Sequence, residues 1–139
     1  MSLEIAHHIC PSITIQMLPN GRLRLAEPGR QGVNLSMRVQ ATDLLAACIG
    51  QRLAIIDAKI KRAAALSRYA AAGLEAPGEL PLMWVISGGM RLVWYPDEAQ
   101  MRLMLAGVAV LVFPDWELAA LAGGLSAFID ELRQQESTS

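Results

Sequence analysis

Histidine, lysine and cysteine are scarce in this sequence. The two histidines, His7 and His8, stand side by side near the start, the two lysines are Lys59 and Lys61, and the two cysteines are Cys10 and Cys48. With both histidines in one end segment, nucleophilic catalysis by a serine or cysteine has no base held in place by a third group. A zinc site built on His7, His8 and Cys10 would need a further ligand, such as Cys48 or an acid, and the spacing matches no established zinc pattern. The acid pairs Asp97/Glu98, Asp115/Glu117 and Asp130/Glu131 fall in turns or at helix ends, where solvation or capping accounts for them. Ser87-Gly88-Gly89 has no lysine after it and leads into a strand, so it reads as a hairpin turn and not as a phosphate loop. No catalytic residue, metal or cofactor is expected, and an enzyme is the least favoured class.

Long hydrophobic runs are also missing. The longest, Leu103 to Phe113, is interrupted by Gly107 and closed by Pro114, short of the roughly 18 residues of a membrane span. The first ten residues carry neither a basic start nor a hydrophobic stretch of signal length. Export and membrane insertion are not expected. Cys10 and Cys48 are then expected as free thiols in a reducing, cytoplasmic compartment.

An overall charge of one sign is absent too, since the formal net charge is −1. The balance is nevertheless uneven along the chain: residues 1–75 hold nine Arg/Lys against five Asp/Glu, and residues 76–139 hold three against eight. A basic front half fits either a polyanion site or charge complementarity between halves or protomers.

What the sequence does contain is a globular composition, 53% hydrophobic and 18% charged over 139 residues, enough for one core. Ile13, Ile15 and Met17 alternate with polar residues as in a half-buried strand, and Pro19-Asn20-Gly21 supplies a turn. Arg22 to Leu25 and Gly32 to Val39 give two further strands of a meander. From Gln40 the period changes. Leu44, Leu45, Cys48, Ile49, Leu53, Ile56, Ile60 and Leu66 recur at three- and four-residue steps, which predicts a long helix ending near Gly73, with a kink or split permitted at Gly50.

After Glu75-Ala76-Pro77-Gly78 the order repeats. Leu82–Ile86, Met90–Tyr95, Gln100–Leu105 and Val108–Phe113 read as strands, and Pro114-Asp115-Trp116-Glu117 starts a helix, with Asp115 placed to cap it. Leu118, Leu121, Leu125, Phe128, Ile129 and Leu132 form its buried stripe. The expected organisation is a flexible N-terminus (1–12), a single α+β domain (13–133) and a frayed tail (134–139). Within the domain, two meander-then-helix units (13–73 and 82–133) flank a linker (74–81).

Two features bear on function. Gly123 and Gly124 inside a helix cost about 1 kcal/mol each relative to alanine, which implies a purpose. With Ala120 and Ala127 they give a small-residue surface for close backbone approach, either to the protein's own sheet or to a second protomer; a homodimer through Gly123, Gly124, Ala120 and Ala127 is the favoured expectation. Strand alternation also sets Arg22 and Arg24 opposite Leu23 and Leu25, Arg91 and Tyr95 opposite Met90, Leu92 and Trp94, and Arg102 opposite Leu103. Arginines beside an aromatic on a sheet can neutralise phosphates and stack on bases of single-stranded nucleic acid. An ordinary solvated sheet face has the same pattern. Trp84, Trp94 and Trp116 are expected in the core.

The segment Pro28-Gly29-Arg30-Gln31-Gly32-Val33-Asn34-Leu35-Ser36, running into a helix, resembles the strand before the helix in transcriptional coactivators of the positive-cofactor-four type. The strands-then-helix unit repeated twice is similar to the Whirly and PUR-type proteins. The resemblance implies a dimeric single-stranded-DNA binder that uses its sheet surface, with Arg22, Arg24 and Arg30 at the matching positions. The functional expectation is a non-catalytic nucleic-acid-binding module using Arg22, Arg24, Arg30, Arg91, Tyr95 and Arg102. The alternative is a small bacterial or phage accessory protein that acts by protein–protein interaction, for which an exposed apolar patch around Gly123 and Leu125 would speak.

Overall fold

The computed structural model describes residues 3–30, 32–35 and 39–138. Gln31 and Ser36 of the Pro28–Ser36 segment, Met37 and Arg38 of the expected third strand, and the end residues Met1, Ser2 and Ser139 lie outside the described residues.

Alternation builds the first sheet. Strands β1 (His7–Cys10), β2 (Ile13–Met17), β3 (Leu23–Ala26) and β4 (Val33–Leu35) lie antiparallel in chain order. Ile13, Ile15, Leu23, Leu25, Val33 and Leu35 are buried on one face, while Gln16, Arg24 and Asn34 pair across the other. Helix α1 (Val39–Ala71) follows. The second sheet repeats the plan with β5 (Leu82–Ile86), β6 (Met90–Tyr95), β7 (Gln100–Leu105) and β8 (Val108–Pro114), again antiparallel in chain order, followed by α2 (Leu118–Thr138). At the β7–β8 turn Ala106 and Gly107 both have positive φ, 51° and 80°, the geometry that matches the twist of a tight hairpin. The fold is α+β: two four-stranded sheets and two helices in the order strands, helix, strands, helix.

The helices cross over between the units. Helix α1, which follows the first sheet, packs on β5 and β6 of the second; α2, which follows the second sheet, packs on β1 of the first; and the helices pack on each other. Both sheets and both helices therefore contribute to one hydrophobic cluster, from Ile13 and Leu25 through Leu44 and Leu92 to Leu125 and Phe128. Two buried polar side chains tie it together. Gln51 on α1 donates from Nε2 to the carbonyl of Leu82 at 2.9 Å and to that of Leu92 at 3.3 Å. Glu117 accepts the Ser12 backbone N–H at 2.8 Å and the Ser12 hydroxyl at 2.6 Å, which fastens the β1–β2 turn to the start of α2.

Several expectations are corrected. The N-terminal segment is not a loose end, because His7–Cys10 forms β1, held by β2 on one side and α2 on the other. Leu3 is buried, its carbonyl accepts the Met17 N–H at 2.6 Å, and the His7 ring lies 5.5 Å from that of Phe128. Of the tail expected to fray, residues 134–138 are part of α2, which runs to Thr138. Helix α1 is continuous through Gly50, whose missing side chain makes room for the Trp84 indole against the helix. Asp115 does not cap α2; its Oδ2 accepts the Trp94 indole N–H at 3.0 Å, and one turn of 3-10 helix (Asp115–Glu117) leads into the helix. Trp94 is core, as expected, whereas Trp116 is exposed and Trp84 is partly so.

The two adjacent glycines of α2 separate a packing role from a neutral one. A Cβ at Gly124 would collide with the backbone carbonyl of Ile9 on β1, whereas one at Gly123 meets nothing. Gly124→Ala should therefore destabilise the protein, an overpacking cost of about 1–3 kcal/mol exceeding the helix-propensity gain of about 1 kcal/mol. Gly123→Ala should stabilise it by about 0.5–1 kcal/mol. Urea unfolding of the two variants checks the opposite signs. By the same measurement Glu117→Ala, which strands two donors of Ser12, should cost about 1–3 kcal/mol.

Candidate nucleic-acid interface

The inner faces of both sheets are taken by the core, so chemistry on the sheets is left to their outer faces. On β6 Arg91, Val93 and Tyr95 alternate with the core residues Met90, Leu92 and Trp94; Arg91 is exposed and Tyr95 half-buried, while Val93 is covered by its neighbours. The ladder sets Val93 beside Arg102, Tyr95 beside Gln100 and Arg91 beside Met104 on β7, and Met83 and Val85 of β5 beside Val93 and Arg91. Three of the expected residues, Arg91, Tyr95 and Arg102, thus share one face of one sheet.

Their contacts differ. The Arg102 guanidinium lies over the Tyr95 ring, 4.2 Å from its centre, while its Nε–H donates to Gln100 Oε1 at 2.9 Å and its Nη2 is 3.5 Å from Glu98 Oε2. Arg102 and Tyr95 are therefore held as one stacked unit. Arg91 is exposed; its Nη1 approaches the Met83 sulfur at 3.7 Å, and no carboxylate pairs with it among the described residues. A groove of about 530 Å³ runs across this face, with Met83, Arg91, Val93, Tyr95 and Met104 among its walls.

Arg22, Arg24 and Arg30 belong to the other sheet. Arg24 faces outward from β3 and donates from Nη2 to Gln16 Oε1 at 3.3 Å. Arg22 stands exposed just before β3, its backbone N–H bound to Asn20 Oδ1 at 3.0 Å, and Arg30 sits in the β3–β4 loop 3.6 Å from Glu27. No described strand of one sheet hydrogen-bonds to the other. The six expected residues thus fall into two sets of three, and no single sheet carries the three strand arginines Arg24, Arg91 and Arg102 together.

Of the small-residue surface on α2, Gly124 faces β1 of its own chain, which accounts for it without a second protomer. Ala120, Gly123 and Ala127 are exposed. Leu125 is fully buried, so the apolar patch expected around it is not there. The exposed large apolar residues lie elsewhere, among them Met83 and Val85 on β5, Trp116, and Ile49, Leu53, Ile56, Ile60 and Leu66 on α1. Period-two alternation from the buried Ile86 would have placed Met83 and Val85 together on the outward face, opposite Trp84; nothing local marks the α1 residues as exposed.

Cys10 and Cys48 are both free and buried. Burial pushes the Cys10 thiol up to about 11 and the Cys48 thiol up to about 12. Neither is a ready nucleophile or thiolate ligand at neutral pH. No cluster of three or more histidine, cysteine or acidic residues is placed to hold a metal ion among the described residues, and no described helix is long and apolar enough to cross a membrane. No protein-family model, curated protein or solved structure matches the chain.

The thiols give a direct check. A thiol-specific reagent at pH 8 should label neither cysteine in the folded protein and both in denaturant. Because the folded-state values lie above the ordinary 9.0, stability should be level below pH 9 and fall as pH rises through about 11, as the unfolded chain loses protons first. Urea midpoints measured across that range read the slope.

Proposed function

We propose that this protein is a non-catalytic binding module for single-stranded nucleic acid, cytoplasmic and homodimeric, and that the outer face of the second sheet is its binding surface. The observation that carries this is the Tyr95–Arg102 stack on the same sheet face as Arg91, which has no carboxylate partner among the described residues, with Met83 exposed in the groove between them. A guanidinium already stacked on an aromatic ring presents a flat surface to a base, and an arginine without a carboxylate partner is available to a phosphate. The order of strands then a helix, twice, is the feature on which the resemblance to the Whirly and PUR-type proteins rests. Arg22, Arg24 and Arg30 form a second, more dispersed basic set through which a longer strand would run.

Anisotropy of labelled single-stranded DNA, RNA and duplex DNA, titrated at low and moderate salt, tests the reading. Binding should favour single strands and weaken steeply with salt. Arg91→Ala should lower the salt slope by about one, and Tyr95→Ala should cost about 1–3 kcal/mol for a lost stacking platform. An absence of binding at low salt overturns it.

A second reading, a bacterial or phage accessory protein that acts on a protein partner, draws on a different observation. β5 is an edge strand of its sheet and exposes Met83, Trp84 and Val85, a surface to which an extended peptide could add as a further strand. Failure of every nucleic-acid probe, together with loss of partner capture on Val85→Pro, would favour it.

A further inference from the structure

Helix α1 is apolar on two opposite sides. One side is core: Ala41, Leu44, Ala47, Cys48, Gln51 and Ile55 are buried against the second sheet and α2. The other carries Ile49, Leu53, Ile56 and Ile60, which are 50%, 64%, 47% and 65% exposed. Their spacing is four, three, four, and it continues through exposed Ala46 on one side and exposed Ala63 on the other. That is the a/d repeat by which one helix receives the side chains of another in a coiled coil, with Leu53 and Ile60 at a positions and Ile49 and Ile56 at d positions.

The flanking charges choose the partner. Arg52 and Lys59 fall at g positions and Asp57 at an e position. Two copies of α1 running parallel set Arg52 of each against Asp57 of the other, two complementary pairs by symmetry. Running antiparallel, they set the g positions Arg52 and Lys59 against one another, like charge against like. Within the protomer Asp57 bonds Lys61 at 2.8 Å, but both are well exposed, and such a pair is easily shared. Leucine at a with isoleucine at d favours assemblies larger than two in isolated coiled coils. Here the opposite side of α1 is taken by α2 and the second sheet as far as Ile55, which disfavours a larger bundle around that half of the seam.

We infer that the exposed seam of α1, from Ala46 to Ala63, is the surface on which a second copy of this chain docks, as a parallel two-helix pair. The inference rests on the homodimeric part of the function proposed above. It places that dimer on α1 and not on the glycines of α2, and it does not depend on nucleic-acid binding.

Light scattering of the full chain should give twice its 15.0 kDa mass. Leu53→Glu should yield a monomer with unchanged helical content, since the residue touches no core. Arg52→Asp and Asp57→Arg should each weaken the dimer, and the two together should restore it. Under mild oxidation Ile49→Cys and Ile60→Cys should each cross-link to itself, the native thiols being buried. A monomer at all concentrations, a dimer indifferent to Leu53→Glu, or cross-linking only between Ile49→Cys and Ile60→Cys chains would overturn the proposal. Anisotropy measured on Leu53→Glu keeps the two ideas apart, because loss of mass and loss of nucleic-acid binding are read separately.

Discussion

The structure depends on the exchange of helices between its two halves. Neither meander can stand alone, because a four-stranded sheet with one apolar face must cover it, and each half supplies the cover for the other. Helix α1 leaves the first sheet to lie on β5 and β6, and α2 leaves the second sheet to lie on β1. The buried ties reinforce the exchange. Gln51 on α1 bonds carbonyls of β5 and β6, and Glu117 at the head of α2 bonds Ser12 between β1 and β2. Each tie runs from a helix or its first turn to the sheet of the other unit, so the two units share one core and are expected to unfold together.

That exchange also decides which surfaces are left for function. Both sheets have their inner faces filled, so what remains is two outer sheet faces and the outward sides of the helices. On the second sheet the outer face holds a stacked arginine–tyrosine pair, a neighbouring arginine and a groove. On α1 the outward side holds a heptad seam of large aliphatic residues. The two surfaces differ in chemistry, one cationic and aromatic and the other aliphatic, and that difference is why a polyanion is proposed for the first and another helix for the second.

The strands and their faces were legible in the sequence to a large extent. Period-two alternation with turn residues between the runs located β2, β3 and β5 to β8 within a residue or two at each end, and it put Arg24, Arg91, Tyr95 and Arg102 on the faces where they stand. β1 escaped notice because His7-His8-Ile9-Cys10 has little apolar alternation of its own; its burial comes from Phe128 and α2, more than a hundred residues away. Trp116 was misplaced for a related reason. A tryptophan next to a helix start is usually core, but here the core at that point is filled by Glu117 and Leu118, which leaves the indole outside.

The sequence by itself determined both helices and the strands other than β1, their order, and the sides on which strand residues point, because these follow from backbone geometry and local period. It also marked α1 as apolar and alanine-rich, while its continuity through Gly50 was decided by the structure. Only the tertiary structure decided which apolar residues of α1 are core and which are surface, because a helix rich in aliphatic residues on all sides offers several equivalent stripes. The choice of Leu44, Cys48 and Ile55 for burial, with Leu53 and Ile60 left out, was made by where α2 and β5 come to rest. In the same way, two glycines alike in sequence were given different roles by a single neighbour, the Ile9 carbonyl that approaches Gly124 and leaves Gly123 open.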